Sequence, residues 1–415
     1  MPYKALTDTA AVWPTEARES VSTPLELVTA RRVSVLFVAQ PQTHRIGGIQ
    51  RHSRRLYEAL RPHFDVARWP DLKSPMAVRR FLGDTGGLRY MSPGRPIIYC
   101  DSAVSIIIAT SLMRNTERVL VGTVHGLDTT IPLKPYQWTV RRALRRLDKV
   151  VCVSRATAAE VASHGVPEER ITVIHNASEP RVARVCSKLE ARQRLEEMIG
   201  ARLRDKKVLL SIGRPVKRKG FDSFAGTVFP YLREDCVYIV AGPELEPPAW
   251  LRYGGALLTR RARRNLLVAT GFHSSHARLV RQSANPRMYY LNGVSDNVRD
   301  LLYAACDLFV LPNRRIPGDM EGFGIVALEA AARGIPVVAF AVEGVTDAVI
   351  DGRNGVSVVA RDYRGMRDAI EGLLADQKEL ERFGQKAAQF THAMYSLQKV
   401  TGQYVSLFND LAFSR

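Results

Sequence analysis

Short apolar runs of strand length alternate with amphipathic segments along this chain, and this alternation limits its fold more than any other feature. In the first half the runs lie at residues 33–39, 96–99, 119–124, 150–153 and 171–174. Unbroken apolar runs are typical of strands buried on both faces, and helices between them allow parallel pairing. We therefore expect a parallel α/β sheet in this half.

The same pattern restarts near residue 205, after a charged stretch with few strand signals. The second series of runs lies at 208–213, 237–241, 288–291, 308–311, 335–341 and 356–359. An apolar helix is predicted at 325–332, and polar helices are predicted from residue 363 onward. Two doubly wound, Rossmann-like domains facing each other across a cleft are therefore expected, with ligands beyond the carboxyl ends of the strands.

The charge balance narrows the choice of partners. The 415 residues contain 60 Lys and Arg against 41 Asp and Glu, a formal net charge of +19. Such an excess attracts polyanions, so nucleic acid, anionic lipid and phosphorylated substrates all qualify. The chain has no recognisable nucleic-acid-binding motif, so no nucleic-acid partner is expected. A basic nucleic-acid-binding protein stays as the alternative from another class.

Cysteine usage and hydropathy indicate the cellular compartment. The five cysteines form no Cys-x-x-Cys pair, as is usual in a protein of the reducing cytosol. No run approaches the ~20 apolar residues that span a bilayer. The first thirty residues also lack the apolar segment of a secretory signal. A cytoplasmic location is therefore expected.

Two carboxylates flank the start of the predicted helix at 325–332. Glu321 precedes Gly322, and Glu329 lies one to two turns into the helix. Helical side chains lean toward the helix N-terminus, so both carboxylates can reach the same cleft. Free backbone N–H groups at the helix start would face an anion there, namely those of Gly324, Ile325 and Val326. The alternative is a helix with acids near its positive end, a common stabilising arrangement.

Two basic residues follow the predicted strand at 208–213. Arg214 offers a guanidinium fork and Lys219 a point charge, and the two together suit a diphosphate. The alternative is that Lys219 belongs to an ordinary solvated basic turn, Lys217–Lys219.

Two motifs in the first half follow predicted strands in the same way. Gly47 and Gly48 follow the first strand, where a residue without Cβ lets the backbone approach a ligand closely. The loop lacks the G-x-G-x-x-G pattern, so a dinucleotide cofactor is not indicated. His125 follows the strand at 119–124, and Asp128 lies three residues on. Asp128 can orient the histidine or an acceptor, or it can cap a turn.

In order and spacing these motifs resemble those of glycosyltransferase family four, which contains retaining enzymes of the GT-B architecture with an E-x7-E signature. The resemblance covers nearly the whole chain. Its matching positions are Gly47-Gly48, His125-Gly126, Ser154-Arg155, Gly213-Arg214, Lys219-Gly220, Gly242-Pro243, the turn at 291–296, the Glu321 and Glu329 pair, and the stretch at 344–355.

Pattern and resemblance together predict the following domain limits. They are an extension at 1–30, an acceptor-side domain at 31–180, a linker at 181–204, a nucleotide-sugar-binding domain at 205–388 with an insertion at about 244–290, and terminal helices at 389–415 that cross back to the first domain.

The resemblance also implies roles for single residues. Its catalytic positions are Glu321, His125, Arg214 and Lys219. Its donor-binding positions are Gly48, Arg214, Lys219, Gly242, Val294, Gly324, Ile325, Val326 and Glu329. Acceptor-side candidates are Arg51, His52 and Asp128, and simple solvation is the alternative for the first two. In this scheme Arg214 and Lys219 hold the diphosphate, Glu329 the ribose, and Glu321 the transferred sugar.

The implied reaction is transfer of a sugar from a UDP- or GDP-sugar to an acceptor hydroxyl, with the anomeric configuration retained. The chain contains no Asp-x-Asp pair, and neither a metal ion nor a cofactor is expected. Cationic side chains and a helix N-terminus would stabilise the phosphate charge instead. The nearer alternatives are a GT-B epimerase or glycan phosphorylase and a catalytically silent partner subunit, although the intact glutamate and Arg/Lys pairs argue against the silent subunit.

A basic amphipathic helix is predicted at 137–149, with Trp138 near its start. Its cationic flank comprises Arg141, Arg142, Arg145, Arg146 and Lys149, and the insertion adds Arg260, Arg261, Arg263 and Arg264. Helices of this kind bind anionic membranes, while a solvated basic face is the alternative. We expect peripheral binding to the inner leaflet of the cytoplasmic membrane, and a glycolipid or polysaccharide acceptor of the cell envelope.

Overall fold

The computed structural model describes residues 32–39, 48–69, 93–112, 118–178, 186–243, 247–253 and 258–414. Both of its sheets belong to one unit that begins at Arg32. The predicted extension at 1–30 and Gly47 of the predicted glycine loop lie outside the described residues.

Two sheets of six parallel strands form the framework. The first has the order β2-β1-β3-β4-β5-β6 and the second the order β12-β11-β10-β7-β8-β9. The strands of the first are β1 (Ser34–Val38), β2 (Asp65–Trp69), β3 (Ile97–Cys100), β4 (Val119–Val124), β5 (Lys149–Cys152) and β6 (Ile171–Val173). Those of the second are β7 (Lys207–Ile212), β8 (Cys236–Ala241), β9 (Met288–Leu291), β10 (Leu308–Leu311), β11 (Val337–Ala341) and β12 (Gly355–Val359). The predicted pair of doubly wound sheets is confirmed.

Helices connect these strands. In the described part of the chain they are α1 (Gly48–Leu60), α2 (Ala103–Leu112), α3 (Leu127–Thr130), α4 (Lys134–Leu144), α5 (Arg155–Ser163), α6 (Lys188–Ile199), α7 (Phe221–Thr227), α8 (Ala249–Tyr253), α9 (Arg260–Ala269), α10 (His276–Gln282), α11 (Asp296–Ala305), α12 (Ile325–Ala332), α13 (Val345–Ala348), α14 (Tyr363–Ala375), α15 (Gln377–Tyr395) and α16 (Leu397–Phe413). None of these helices is long and apolar enough to cross a membrane.

Strand β2 is the one strand of the described residues that the sequence pattern did not predict. It lies at the edge of the first sheet and pairs only with β1. Asp65 and Ala67 are exposed and Val66 is half-buried. An edge strand needs no continuous apolar run, because one side of it is not covered by a neighbour.

The last helix, α16, packs on the first sheet although it follows the second in the sequence. Its buried Tyr404 and Phe408 belong to the same apolar cluster as Phe37 and Tyr99. The hydroxyl of Thr123 lies 2.7 Å from that of Tyr99 and 3.2 Å from that of Tyr404, so these buried polar groups have partners. The chain therefore returns to the first sheet after completing the second.

The stretch predicted as a linker at 181–204 contains helix α6. Ser187 caps its N-terminus, and Gly200 ends it with a φ of 67°. Leu195 and Leu203 are fully buried in the core of the second sheet, beside Leu210. Most of the described part of this stretch thus packs with the second sheet, while the domain limits themselves stay a prediction.

The predicted basic helix at 137–149 is wrong in its extent, because α4 ends at Leu144. The backbone N–H of Asp148 already bonds to Leu120, and Lys149 opens β5. Arg141 donates to Nδ1 of His164 at 3.0 Å, and Arg145 donates to the His164 carbonyl at 3.0 Å. Lys149 Nζ also donates to the Glu169 carbonyl at 2.7 Å. The five cations therefore do not form one helical flank, and at least three of them bind the protein itself.

The order of the strands reverses beside β1 in the first sheet and beside β7 in the second. In the first sheet β1 and β3 are neighbours, with β2 on one side of the pair and β4 to β6 on the other. In the second sheet β7 and β10 are neighbours, with β8 and β9 on one side of the pair and β11 and β12 on the other. Ligands of doubly wound sheets bind in the crevice at such a switch point. The loops that follow these four strands therefore position the candidate site.

Candidate active site

The loops after β7 and β10 meet at the switch point of the second sheet. After β7 the chain passes Arg214, forms a 3₁₀ turn at Lys217–Lys219 and reaches Gly220, whose φ is 68°. A Cβ on Gly220 would overlap the carbonyl oxygen of Pro312, which follows β10. Only glycine suits both the backbone angle and this close approach.

One carboxylate oxygen of Glu321 accepts three hydrogen bonds from buried donors. Lys219 Nζ and Asn313 Nδ2 each lie 2.8 Å from it, and Arg218 Nε lies 3.3 Å from it. Burial by itself raises the pKa of Glu321, but the charges of Lys219 and Arg218 outweigh it and lower the pKa to about 2. Glu321 is therefore an ionised carboxylate in a fixed position at neutral pH.

The charged cluster as a whole holds more positive than negative groups. Arg218 also pairs with Asp319 at 3.0 Å, so two carboxylates face three cations, Arg214, Arg218 and Lys219. Burial lowers the pKa of Lys219, and Glu321 opposes that change. One positive charge is in excess, and an anionic ligand at this place would neutralise it.

Arg214 has no ion-pair partner among the residues that the structure describes. Burial lowers its pKa and the charge of Arg218 lowers it further, while the charges of Asp319 and Glu321 oppose this change. Its guanidinium lies against Gly271 of the predicted insertion, where a Cβ would come within 2.9 Å of Nη1. A desolvated cation without a direct ion-pair partner is unfavourable, so a bound anion would stabilise it.

Helix α12 presents its N-terminus to the same crevice. Gly324 precedes the helix with a φ of 92°, and no side chain caps the first turn. One turn further, the buried carboxylate of Glu329 accepts a hydrogen bond from the Tyr303 hydroxyl at 2.8 Å. The Arg333 guanidinium covers the Tyr303 ring at 4.7 Å. Glu329 is therefore held in place from α11.

Two groups orient His125 at the end of β4. Its Nε2 lies 2.9 Å from the backbone oxygen of Asp101, and its backbone N–H donates to Asp128 at 2.9 Å. The second carboxylate oxygen of Asp128 accepts the N–H of Ala103 at 3.3 Å. A carbonyl only accepts, so Nε2 carries a proton, and in the neutral imidazole Nδ1 is then the acceptor. Asp128 thus accepts two backbone N–H groups, as a capping residue does, and its predicted roles toward the histidine or an acceptor stay predictions.

A small pocket open to solvent lies where α1 approaches α12, with about 320 Å³ of empty space. Its lining residues are Gly48, Arg51, His52, Arg55, Ala177, Ile325 and Glu329. Burial lowers the pKa of His52 to about 3, helped by the charges of His125 and Arg55, so His52 is neutral at physiological pH. Arg51 also lies 3.4 Å from Asp296 at the start of α11. Three predicted donor positions and two acceptor-side candidates thus share one pocket.

Six predicted donor-binding positions lie outside this pocket lining, and packing explains two of them, Gly242 and Val294. A Cβ on Gly242 would overlap the Gly213 carbonyl oxygen, so the packing of the β7 and β8 ends explains this glycine without a ligand. Val294 packs, partly buried, against the core of the second sheet. Their donor contacts stay predictions.

The loops of the two sheets come into backbone contact beside His125. A Cβ on Gly322 would overlap the His125 carbonyl oxygen, and a Cβ on Gly126 would lie 2.7 Å from the Cα of Gly322. Arg155 joins the two sheets nearby, with Nε 2.6 Å from Asp347. The loops that carry Glu321 and His125 can therefore come this close only because Gly322 and Gly126 have no side chains at the contact.

Replacing Gly322 by Ala is expected to lower the activity of this site about 10²-fold, because an added Cβ forces the two loops apart. The melting temperature should also fall, because the loops adjoin a buried apolar cluster that contains Val153 from the first half of the chain and Phe323 from the second. Gly372→Ala is the matched control, because its Cβ would meet no atom within 4 Å. Wild-type activity in Gly322→Ala would contradict this account of the contact.

Metal binding has no support from side-chain clusters in the described ranges. No group of three or more His, Cys, Asp or Glu residues there could hold an ion. Metal-independent chemistry stays a prediction that needs its own experiment.

Sequence reasoning missed several residues of the site. Asn313 and Asp101 stand just beyond the ends of β10 and β3, so the switch-point rule could have identified them. Arg218 lies in a turn that was considered only as solvated, yet it is buried. Tyr303 carried no signal, because its contact with Glu329 depends on how α11 packs beside α12.

Two family models match this chain. "Glycosyltransferase Family 4" covers residues 32–180, and "Glycosyl transferases group 1" covers residues 194–390. The GDP-mannose-dependent alpha-(1-6)-phosphatidylinositol monomannoside mannosyltransferase of Mycolicibacterium smegmatis is 30% identical over 298 residues, 69% of each chain. The lipopolysaccharide core biosynthesis mannosyltransferase LpsB of Rhizobium meliloti is 28% identical over 272 residues, 65% of this chain and 67% of its own.

Solved structures are similar to this chain in their fold. HepE of Anabaena, crystallised with UDP-glucose, superimposes with a TM-score of 0.65 over 91% of this chain and 99% of its own, at 16% identity. The fold and the family models together define a glycosyltransferase with the GT-B architecture. The chain belongs to glycosyltransferase family four, as the sequence motifs predicted.

Proposed function

We propose that this protein is a retaining hexosyltransferase that uses a UDP- or GDP-sugar and needs no metal ion. The observation that carries the proposal is the cluster of Arg214, Arg218 and Lys219 around Glu321 at the switch point of the second sheet, with one positive charge in excess. A diphosphate supplies the negative charge that this cluster needs. A relative named for GDP-mannose and a structural neighbour bound to UDP-glucose support a nucleotide-sugar donor.

In this mechanism Arg214, Lys219 and the N-terminus of α12 stabilise the charge that develops on the diphosphate. Glu329 holds the ribose, and Glu321 and Nδ1 of His125 hold hydroxyls of the transferred sugar. The bond from the anomeric carbon to the phosphate oxygen breaks, and the acceptor oxygen bonds to the same face of that carbon. The departing phosphate takes the acceptor proton. Glu321 is a poor covalent nucleophile, because three donors already bind one of its oxygens.

The proposed acceptor is a glycolipid or polysaccharide of the cell envelope, in keeping with relatives named for phosphatidylinositol mannoside and lipopolysaccharide core synthesis. The proposed location is the cytoplasm, with peripheral binding to the inner leaflet. Trp138 is 65% exposed with Arg142 over its ring at 5.8 Å, and the arginines of α9 are exposed. Each of these two exposed basic segments suits anionic lipid. Co-sedimentation with anionic but not with neutral vesicles measures it.

Transfer is tested with purified protein, a set of UDP- and GDP-sugars and an envelope lipid extract. We expect one donor to give a product whose new glycosidic bond keeps the donor's anomeric configuration by NMR. Activity in EDTA should stay within about twofold of the untreated rate, because cationic side chains neutralise the phosphates. An inverted product, or loss in EDTA that Mg²⁺ restores, would contradict the proposal. An epimerised donor without acceptor, or a sugar phosphate formed from glycan and phosphate, would favour the epimerase or the phosphorylase instead.

A further inference from the structure

Glu343 lies in the loop between β11 and α13 and has a left-handed backbone with a φ of 48°. Among the described residues other than glycine, only Arg361 shares this property, with a φ of 69°. A residue with a Cβ rarely adopts these angles, and it keeps them only where surrounding contacts hold it. Such strained residues cluster at functional sites, so the contacts of Glu343 indicate what it does.

Glu343 and its neighbour Gly344 hold both backbone groups of Glu321. Oε2 of Glu343 accepts the N–H of Glu321 at 2.6 Å, and the N–H of Gly344 donates to the Glu321 carbonyl at 3.1 Å. A Cβ on Gly344 would overlap the carbonyl oxygen of Gly322, so the two loops are in backbone contact. The side chain of Glu321 is fixed by Lys219, and its backbone is fixed by the loop at 343–344.

We propose that Glu343 is a positioning residue for the sugar-transfer step, and that its carboxylate keeps Glu321 in place by holding the Glu321 N–H. This inference rests on the function proposed above. It adds a third carboxylate to the two of the sequence motif, and this carboxylate acts on Glu321 rather than on the substrate.

The surroundings of Glu343 make the hydrogen bond between its carboxylate and the Glu321 N–H sensitive to pH. Its charged neighbours are Glu321 and Arg315 from the loop after β10 and Arg218 from the turn after β7. Burial is the main reason that the pKa of Glu343 is raised to about 7, and the negative charge of Glu321 raises it further. The hydrogen bond from the Glu321 N–H and the charges of both arginines lower it in part. An ionised carboxylate accepts an N–H more strongly than a carboxylic acid does. The hydrogen bond from the Glu321 N–H to Glu343 therefore strengthens as the pH rises through about 7.

The test compares Glu343→Gln and Glu343→Gly with the wild type by measuring kcat and KM from about pH 6 to about pH 8.5. Glutamine keeps an acceptor of the same shape that does not titrate. Glycine relieves the backbone strain but removes the acceptor. Arg361→Gly is the matched control, because it relieves the same kind of strain at an exposed turn.

We expect wild-type kcat to rise through about pH 7, and this rise to be absent in Glu343→Gln. Glu343→Gly should lower kcat roughly 10-fold to 10²-fold with little change in donor KM, because Glu321 loses its fixed position. It should nevertheless melt no lower than the wild type, and Arg361→Gly should keep wild-type kcat.

A Glu343→Gly variant with wild-type kcat, or a Glu343→Gln variant that keeps the rise, would overturn this inference and leave the proposed function intact. A wild-type protein that transfers no sugar from any donor would overturn both.

Discussion

Replacing Arg214 by Ala is expected to lower kcat for sugar transfer by about 10²–10³-fold, the range found when one preorganised electrostatic group is removed. Arg214 is desolvated, and among the described residues it makes no direct ion pair, although the charges of Asp319 and Glu321 act on it. Its guanidinium is therefore available for direct hydrogen bonds to the donor diphosphate, and this interaction should grow as charge develops on the leaving group.

The same change should leave stability almost unaffected. Removing an unpaired buried cation leaves no partner behind, so the free energy of unfolding should fall by less than about 1 kcal/mol or should rise. Steady-state kinetics and urea unfolding measure the two effects separately. Arg364→Ala is the control, because the Arg364 side chain is 85% exposed. A large loss of stability with unchanged kcat would mean that Arg214 supports the fold rather than the chemistry.

Glu321→Gln is expected to lower both activity and stability, in contrast to Arg214→Ala. The substitution removes the negative charge shared by Lys219 and Arg218, which are both less than a tenth exposed. Breaking a buried ion pair from one side costs about 3–5 kcal/mol, because the remaining charge is buried without its partner. Transfer should fall by about 10²-fold or more, since the charge nearest the reacting sugar is lost.

The difference in stability between the wild type and Glu321→Gln should decrease as the pH falls. The pKa of Glu321 is lowered from 4.5 to about 2 in the folded protein, so its ionised form stabilises the fold above pH 4.5. That contribution is lost as the pH falls from 4.5 through about 2. The gap between the wild type and Glu321→Gln should therefore be largest near neutral pH and should close in acid.

Glu58→Gln is the matched control for Glu321→Gln. Glu58 pairs with Arg61 at 3.2 Å on the surface, where an ion pair contributes only about 0–1 kcal/mol. A Glu321→Gln variant that unfolds like Glu58→Gln at neutral pH would contradict the buried network.

The pattern of the sequence predicted the architecture because strands buried on both faces must be apolar throughout. Runs such as 119–124 and 308–311 coincide with β4 and β10. Strand β2 escaped prediction because an edge strand does not need such a run. The helix at 137–149 was extended too far, because its arginines continue past the point where tertiary contacts to Leu120 and His164 end it.

The site was predictable where a residue follows a strand end and carries a recognisable motif, as Arg214, Lys219 and Glu321 do. Tyr303 and Glu343 were not, because the group that each of them binds lies on another loop or helix. Asn313 follows a strand end but carries no recognisable motif. In Arg218 the charge was visible, but its burial was not. Such contacts form where two loops distant in the sequence come together, and the spacing of residues within one motif does not predict them.

The most direct test of the central claim is a crystal structure with the donor or its nucleoside diphosphate bound. We predict the diphosphate at the junction of the β7 and β10 ends, with oxygens within hydrogen-bonding distance of the Arg214 guanidinium, Lys219 Nζ and the first N–H groups of α12. A diphosphate bound elsewhere, with Arg214 and Lys219 unchanged and without contact to it, would contradict the account.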